Sequence, residues 1–135
     1  MTEENKNYNI IIVDDDEFLV DMYSVKFGHM GVKVEHCKTG AMLLEKLHSN
    51  SKIDLLLLDI VMPGMNGLEI LRQIRQEKLI ENVPVVMLTN QNDEKNINDA
   101  KDLGISGYIV KAAATPSEVV AETMAILKNT SRVNH

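Results

Sequence analysis

The chain predicts an α/β fold built on a doubly wound parallel sheet, and three features carry that expectation. Five short apolar runs alternate with five longer amphipathic segments. Four of the five runs are continuously apolar, as strands covered on both faces are. Acidic, hydroxyl and lysine residues stand at the C-terminal ends of the runs, where such folds place their ligand sites.

The strands are expected at residues 9–13, 33–37, 53–58, 83–88 and 107–110. The second, KVEHC, alternates in polarity and suits a sheet edge. The first helix spans 17–30, with Phe18, Leu19, Met22 and Val25 on one face. Leu43, Leu44 and Leu47 share a face in the second helix, and Ile70, Leu71 and Ile74 in the third. The fourth, 93–103, is polar, with Ile97, Ala100 and Leu103 as its anchors. Val120, Met124 and Leu127 recur at helical spacing in the fifth. Gly31 and Gly104 sit where C-terminal caps belong. Thr115, Pro116 and Glu118 read as an N-cap, a first helical residue and the return partner of a capping box. Five βα units with right-handed crossovers give a flavodoxin-like sheet of order 2-1-3-4-5 over residues 8–128, with loose tails at 1–7 and 129–135.

A chain of 135 residues suits one domain, and 44% hydrophobic with only 4% aromatic residues implies an aliphatic core, its gaps filled by the eight methionines. A net charge of −6 without a clustered basic patch argues against direct nucleic-acid binding. Cys37 is the only cysteine, so no internal disulfide forms and a reducing compartment is the natural reading. No signal pattern opens the chain, and no apolar run approaches the roughly 20 residues of a membrane helix, so a cytoplasmic protein is expected. The histidines, His29, His36, His48 and His135, are scattered and read as surface or edge residues.

The strand ends carry the chemistry. The first ends in Asp14-Asp15-Asp16, the third in Asp59, the fourth in Thr89 and the fifth in Lys111. Asp16 reads as a helix cap and Glu17 as solvated. Strands one and three are neighbours where the strand order reverses, so their carboxylates converge there. Acids that crowded repel one another unless some stay protonated or a cation binds. An all-oxygen site suits Mg2+ or Mn2+. Lys111 and the Thr89 hydroxyl are then placed to hold phosphate oxygens, and Asp59 is a candidate nucleophile toward phosphorus.

IIIVDDD (10–16), LLLLDIVMPGMNG (55–67), VVMLT (85–89) and GYIVKA (107–112) together resemble a response-regulator receiver domain of two-component signalling. The resemblance implies that Asp59 is the phosphoacceptor and that Asp14 and Asp15 form the acidic pocket. It implies Mg2+ ligation by Asp15, Asp59 and the Val61 backbone carbonyl, with Asp14 acting through water. It also implies that Thr89 binds the phosphoryl group, Lys111 pairs with it, and Tyr108 is the switch aromatic. Pro63, Gly64 and Gly67 would shape the loop beside Asp59. The implied donor is a histidine kinase, a phosphotransfer protein or acetyl phosphate. The implied readout is the face of helix 4, strand 5 and helix 5, which would meet a protein target or a second copy in a homodimer. The polar fourth helix would be the more mobile part of that face.

Departures from the family pattern carry expectations too. Ala112 replaces the usual Pro after Lys111, so that peptide is expected to be trans, or cis under strain. Asn90 follows Thr89 where a small residue is usual and narrows access to the site. Val61 and Gln91 stand where hydrolysis is tuned, and an apolar Val61 implies a longer-lived phosphoryl group. With no effector domain after the fifth helix, the chain reads as a single-domain regulator or an excised receiver. The rival readings are a haloacid-dehalogenase-like phosphatase, which lacks its final motif residue at Phe18, a flavin carrier, whose phosphate the acidic run would repel, and a pseudo-receiver that takes no phosphate.

Overall fold

A computed structural model describes residues 7–49, 52–62, 64, 66–90 and 94–133. Pro63, Gln91 and His135 lie outside them. Five strands, β1 (Tyr8–Val13), β2 (Val32–Cys37), β3 (Leu55–Asp59), β4 (Val85–Thr89) and β5 (Gly107–Val110), form one parallel sheet of order β2-β1-β3-β4-β5. The connecting helices are α1 (Glu17–Gly28), α2 (Gly40–His48), α3 (Gly67–Gln76), α4 (Glu94–Asp102) and α5 (Pro116–Val133). The expected topology is therefore the observed one, with β2 at an edge.

Strand periodicity divides the core into two layers. Ile10, Ile12, Leu55, Leu57, Val86 and Leu88 pack with α1 and α5 through Val20, Tyr23, Phe27, Val119 and Val120. Ile11, Val13, Leu56, Leu58, Val85 and Met87 point the other way, to Leu43 and Leu47 of α2, Ile70 and Ile74 of α3, and Ala100 of α4. The four leucines of β3 serve both layers in alternation and are fully buried. That double anchoring fixes the position of Asp59 at the end of the strand.

The face expected of α1 is corrected by the structure. Phe18 and Val25 are 75% and 59% exposed, and the helix buries Val20, Tyr23 and Phe27 instead. Both sets repeat at helical spacing, so periodicity alone does not separate them. Packing of α1 against the sheet and α5 selects the set that carries two large aromatic rings. The helix also stops at Gly28, short of residue 30, and a turn with Gly31 at φ 79° leads into β2. β3 and β4 each start and end later than expected, so Asp59 and Thr89 are the last residues of their strands. α5 continues past Lys128 to Val133, into part of the segment read as a tail.

The capping box of α5 closes in both directions. Glu118 N–H donates to Thr115 Oγ1 at 3.1 Å, and Thr115 N–H donates to Glu118 Oε1 at 2.8 Å. Thr115→Ala should cost about 1 kcal/mol in urea unfolding. Among the described residues no helix is long and apolar enough to cross a membrane.

Candidate functional site

The C-terminal ends of β1, β3 and β5 meet at one pocket. Asp14, the first residue beyond β1, is fully buried, and each of its polar groups has a partner. Its N–H donates to the Cys37 carbonyl at 3.3 Å. Its Oδ1 accepts from Asp16 N–H at 2.9 Å, and its Oδ2 from the Lys111 ammonium at 2.8 Å. Its carbonyl oxygen lies 2.7 Å from His36 Nε2. From sequence His36 reads only as a surface or edge residue, and the folded register alone brings its ring to the Asp14 carbonyl.

Asp59 closes β3, opposite Leu88 of β4. Its Oδ2 accepts from Lys111 at 3.2 Å, while Oδ1 is buried without a hydrogen-bond partner. A buried carboxylate oxygen left bare is costly, and the cost appears in its ionisation. Burial, with Asp14 adding to it, pushes the Asp59 pKa up to about 6, although Lys111 and the Val61 amide favour the anion. For Lys111, burial disfavours the ammonium, but hydrogen bonds and charge from Asp14 and Asp59 outweigh it and raise the pKa. One ammonium thus faces two buried carboxylates.

Asp15 is exposed, and one carboxylate oxygen each from Asp14, Asp15 and Asp59 lies within 4.8 Å of the others. With the bare Asp59 Oδ1, this all-oxygen trio fits a hard divalent cation. Val61, Asn90 and Ala112 also line the pocket, with Val61 59% exposed and Asn90 exposed. The Lys111–Ala112 peptide is trans, and Lys111 reaches both acids without the usual proline. Asp16 caps α1 by accepting from Leu19 N–H at 3.1 Å, and the exposed Glu17 pairs with Lys38 at 2.9 Å.

Two expected site residues stand apart from the pocket lining. Thr89 is buried at the end of β4, beside Val110 of β5. Tyr108 is 37% exposed on β5, with the Lys101 ammonium 5.9 Å from its ring centroid. On the other side of Asp59, Gly64 turns at φ 84° and Asn66 caps α3 by accepting from Leu68 N–H at 2.7 Å. The Asn66 cap is a second feature that sequence reasoning missed, although Asn before Gly-Leu-Glu was a readable signal.

Comparison with known proteins agrees with this geometry. Residues 10–123 match the response regulator receiver domain family. The chain is 34% identical over 122 residues to the alkaline phosphatase synthesis transcriptional regulatory protein PhoP of Bacillus subtilis, covering 90% of this chain and 49% of PhoP. It is 31% identical over 134 residues to the Bacillus subtilis transcriptional regulatory protein ResD, covering 98% of this chain and 53% of ResD. The chain thus spans about half the length of these curated relatives. A CheY-like receiver domain protein from Methanospirillum hungatei superposes with a TM-score of 0.83 at 25% identity, over 94% of this chain and 98% of its own. The chemotaxis response regulator CheY4 of Vibrio cholerae shares the fold at a TM-score of 0.79 and 24% identity, over 90% and 99%. Receiver domains are signalling modules that bind Mg2+ at an acidic cluster. With its fold, acidic trio and sequence match in agreement, this chain belongs to the receiver-domain family of two-component response regulators.

Proposed function

We propose that the chain accepts a phosphoryl group on Asp59 and signals through its α4-β5-α5 face. The observation that carries this reading is the bare, buried Oδ1 of Asp59 beside Lys111 and the Asp14–Asp15 pair. An oxygen without a hydrogen bond keeps its lone pairs for attack. The Asp59 oxygen forms a bond to phosphorus as the bond to the donor breaks. The donor's imidazole or acetate leaves with that electron pair. Lys111 holds the second Asp59 oxygen and meets charge on the transferring group. Asp15, Asp59 and the Val61 carbonyl would hold Mg2+ or Mn2+, with Asp14 acting through water, and the ion's charge would offset that of the phosphoryl oxygens.

A phosphohistidine on a histidine kinase or phosphotransfer protein is the donor, with acetyl phosphate as a small-molecule substitute. The Thr89 hydroxyl then donates to the phosphoryl group, and Tyr108 leaves its exposed position for the space that opens. The resulting change on the face of α4, β5 and α5 alters contact with a protein target or a second copy. PhoP and ResD are named as transcriptional regulators, so control of transcription is the first output to test. The acidic chain would serve it through protein contacts rather than by touching nucleic acid itself.

Intact-protein mass spectrometry tests the reading. Acetyl phosphate with Mg2+ should add about 80 Da, one phosphoryl group. EDTA or Asp59→Asn should abolish the gain. No gain in the wild-type chain would favour the pseudo-receiver reading. A gain retained in Asp59→Asn would place the acceptor elsewhere.

A further inference from the structure

We infer that His36 is a positioning residue for the acidic pocket, fixing the Asp14–Asp15 peptide through the bond between its imidazole and the Asp14 carbonyl. The inference rests on the pocket's reading as a divalent-cation and phosphoryl site. β1 and β2 stay in register up to Val13 and Cys37, and the Asp14 N–H still donates to the Cys37 carbonyl. There the ladder ends, because β2 stops at Cys37 and Thr39 already caps α2. The Asp14 carbonyl has therefore outrun the backbone donors of β2. His36 supplies the missing donor from its side chain at 2.7 Å. A carbonyl oxygen only accepts, so Nε2 must carry a proton.

The consequence reaches the site through one rigid unit. A peptide is planar, so the Asp14 C=O and the Asp15 N–H turn together. Asp14 is already held at its N–H and at both carboxylate oxygens. The His36 bond fixes its remaining polar group and so sets where the backbone of Asp15 begins. Asp15 is the one exposed member of the carboxylate trio. Loss of the bond should let the peptide rotate and carry the Asp15 carboxylate away from Asp14 and Asp59. Outer-shell partners of this kind typically govern metal affinity by about 10- to 100-fold.

The test compares wild type, His36→Phe, which keeps ring bulk without the donor, and His36→Gln, which keeps a side-chain N–H. Calorimetric titration with Mg2+ should show affinity weakened about tenfold or more in His36→Phe and largely restored in His36→Gln. Thermal midpoints should differ little among the three. In the metal-free chains, the Asp15 amide nitrogen resonance should move in His36→Phe and stay near its wild-type position in His36→Gln. Unchanged Mg2+ affinity in His36→Phe, or equal weakening in His36→Gln, would overturn the inference while leaving the pocket reading intact. Failure of the wild-type chain to bind Mg2+ would overturn both. Should His36→Phe not fold, nitrogen–proton spectra of the wild-type imidazole decide: a proton on Nε2 is expected, and a neutral ring protonated only on Nδ1 overturns the inference.

Discussion

Asp59→Asn should stabilise the metal-free chain at about pH 7.5 by roughly 2–3 kcal/mol. The side chain is almost wholly buried, and its pKa stands at about 6 against an ordinary value of 3.8. The folded state therefore holds the Asp59 proton more tightly than the unfolded chain does. Below the unfolded pKa both states are protonated, and the group imposes no penalty. As pH rises from about 4 to about 6, the unfolded chain ionises freely while folding opposes ionisation, and stability falls. Above the folded pKa the loss is complete and constant. Asn carries no such charge, so the two proteins should match near pH 4, diverge as the pH rises from about 4 to about 6, and keep a constant difference above that. Lys38 and His48 hold the exposed Glu17 and Glu77 below their usual pKa values, but these groups titrate in both proteins and cancel in the difference. Urea unfolding in EDTA at the two ends of that range measures the effect. Equal stability at neutral pH, or a less stable Asn variant, would refute the charge argument. Mg2+ should narrow the gap by binding folded wild type, contributing about 2.7 kcal/mol at a concentration 100 times its Kd.

The second large effect is expected at Gly67. A Cβ there would overlap the Asp59 carbonyl oxygen and stand 2.9 Å from Ile60 Cα. Both neighbours are backbone, so no side chain can rotate away. Gly67 N–H also donates to the Ile60 carbonyl at 2.7 Å, which ties the start of α3 to the end of β3. Gly67→Ala must break that approach or displace Asp59, at a cost of about 3 kcal/mol. Phosphoryl uptake by the surviving folded fraction should fall as well. Gly28→Ala is the control, because a Cβ at Gly28 meets nothing within 4 Å. It should be neutral or stabilising by up to about 1 kcal/mol. Equal stability of the two variants would show that the β3–α3 approach tolerates a side chain.

The convergence of Asp14, Asp15, Asp59 and Lys111 was legible in the chain because strand period and crossover handedness leave few ways to order five βα units. Once β1 and β3 are neighbours, residues at their C-terminal ends must meet. The roles of the Thr115 box and Gly104 were equally local, since caps depend on a few consecutive residues. The buried face of α1 was not legible, because its apolar residues form two stripes and only the partner surface distinguishes them. The link from His36 to Asp14 was also hidden, since it joins residues 22 positions apart across a strand end.

Residue order and spacing were enough to establish the strand sequence, the caps at Asp16 and Thr115 and the set of charged side chains brought to one edge, because these follow from short-range periodicity and from topology. Only the assembled structure decided which Asp59 oxygen remains bare, which acids share Lys111, where Thr89 and Tyr108 stand, and why position 67 takes no side chain. Those outcomes turn on separations of a few ångströms between distant segments and on the burial of Asp14 and Asp59, and neither exists until the layers have packed.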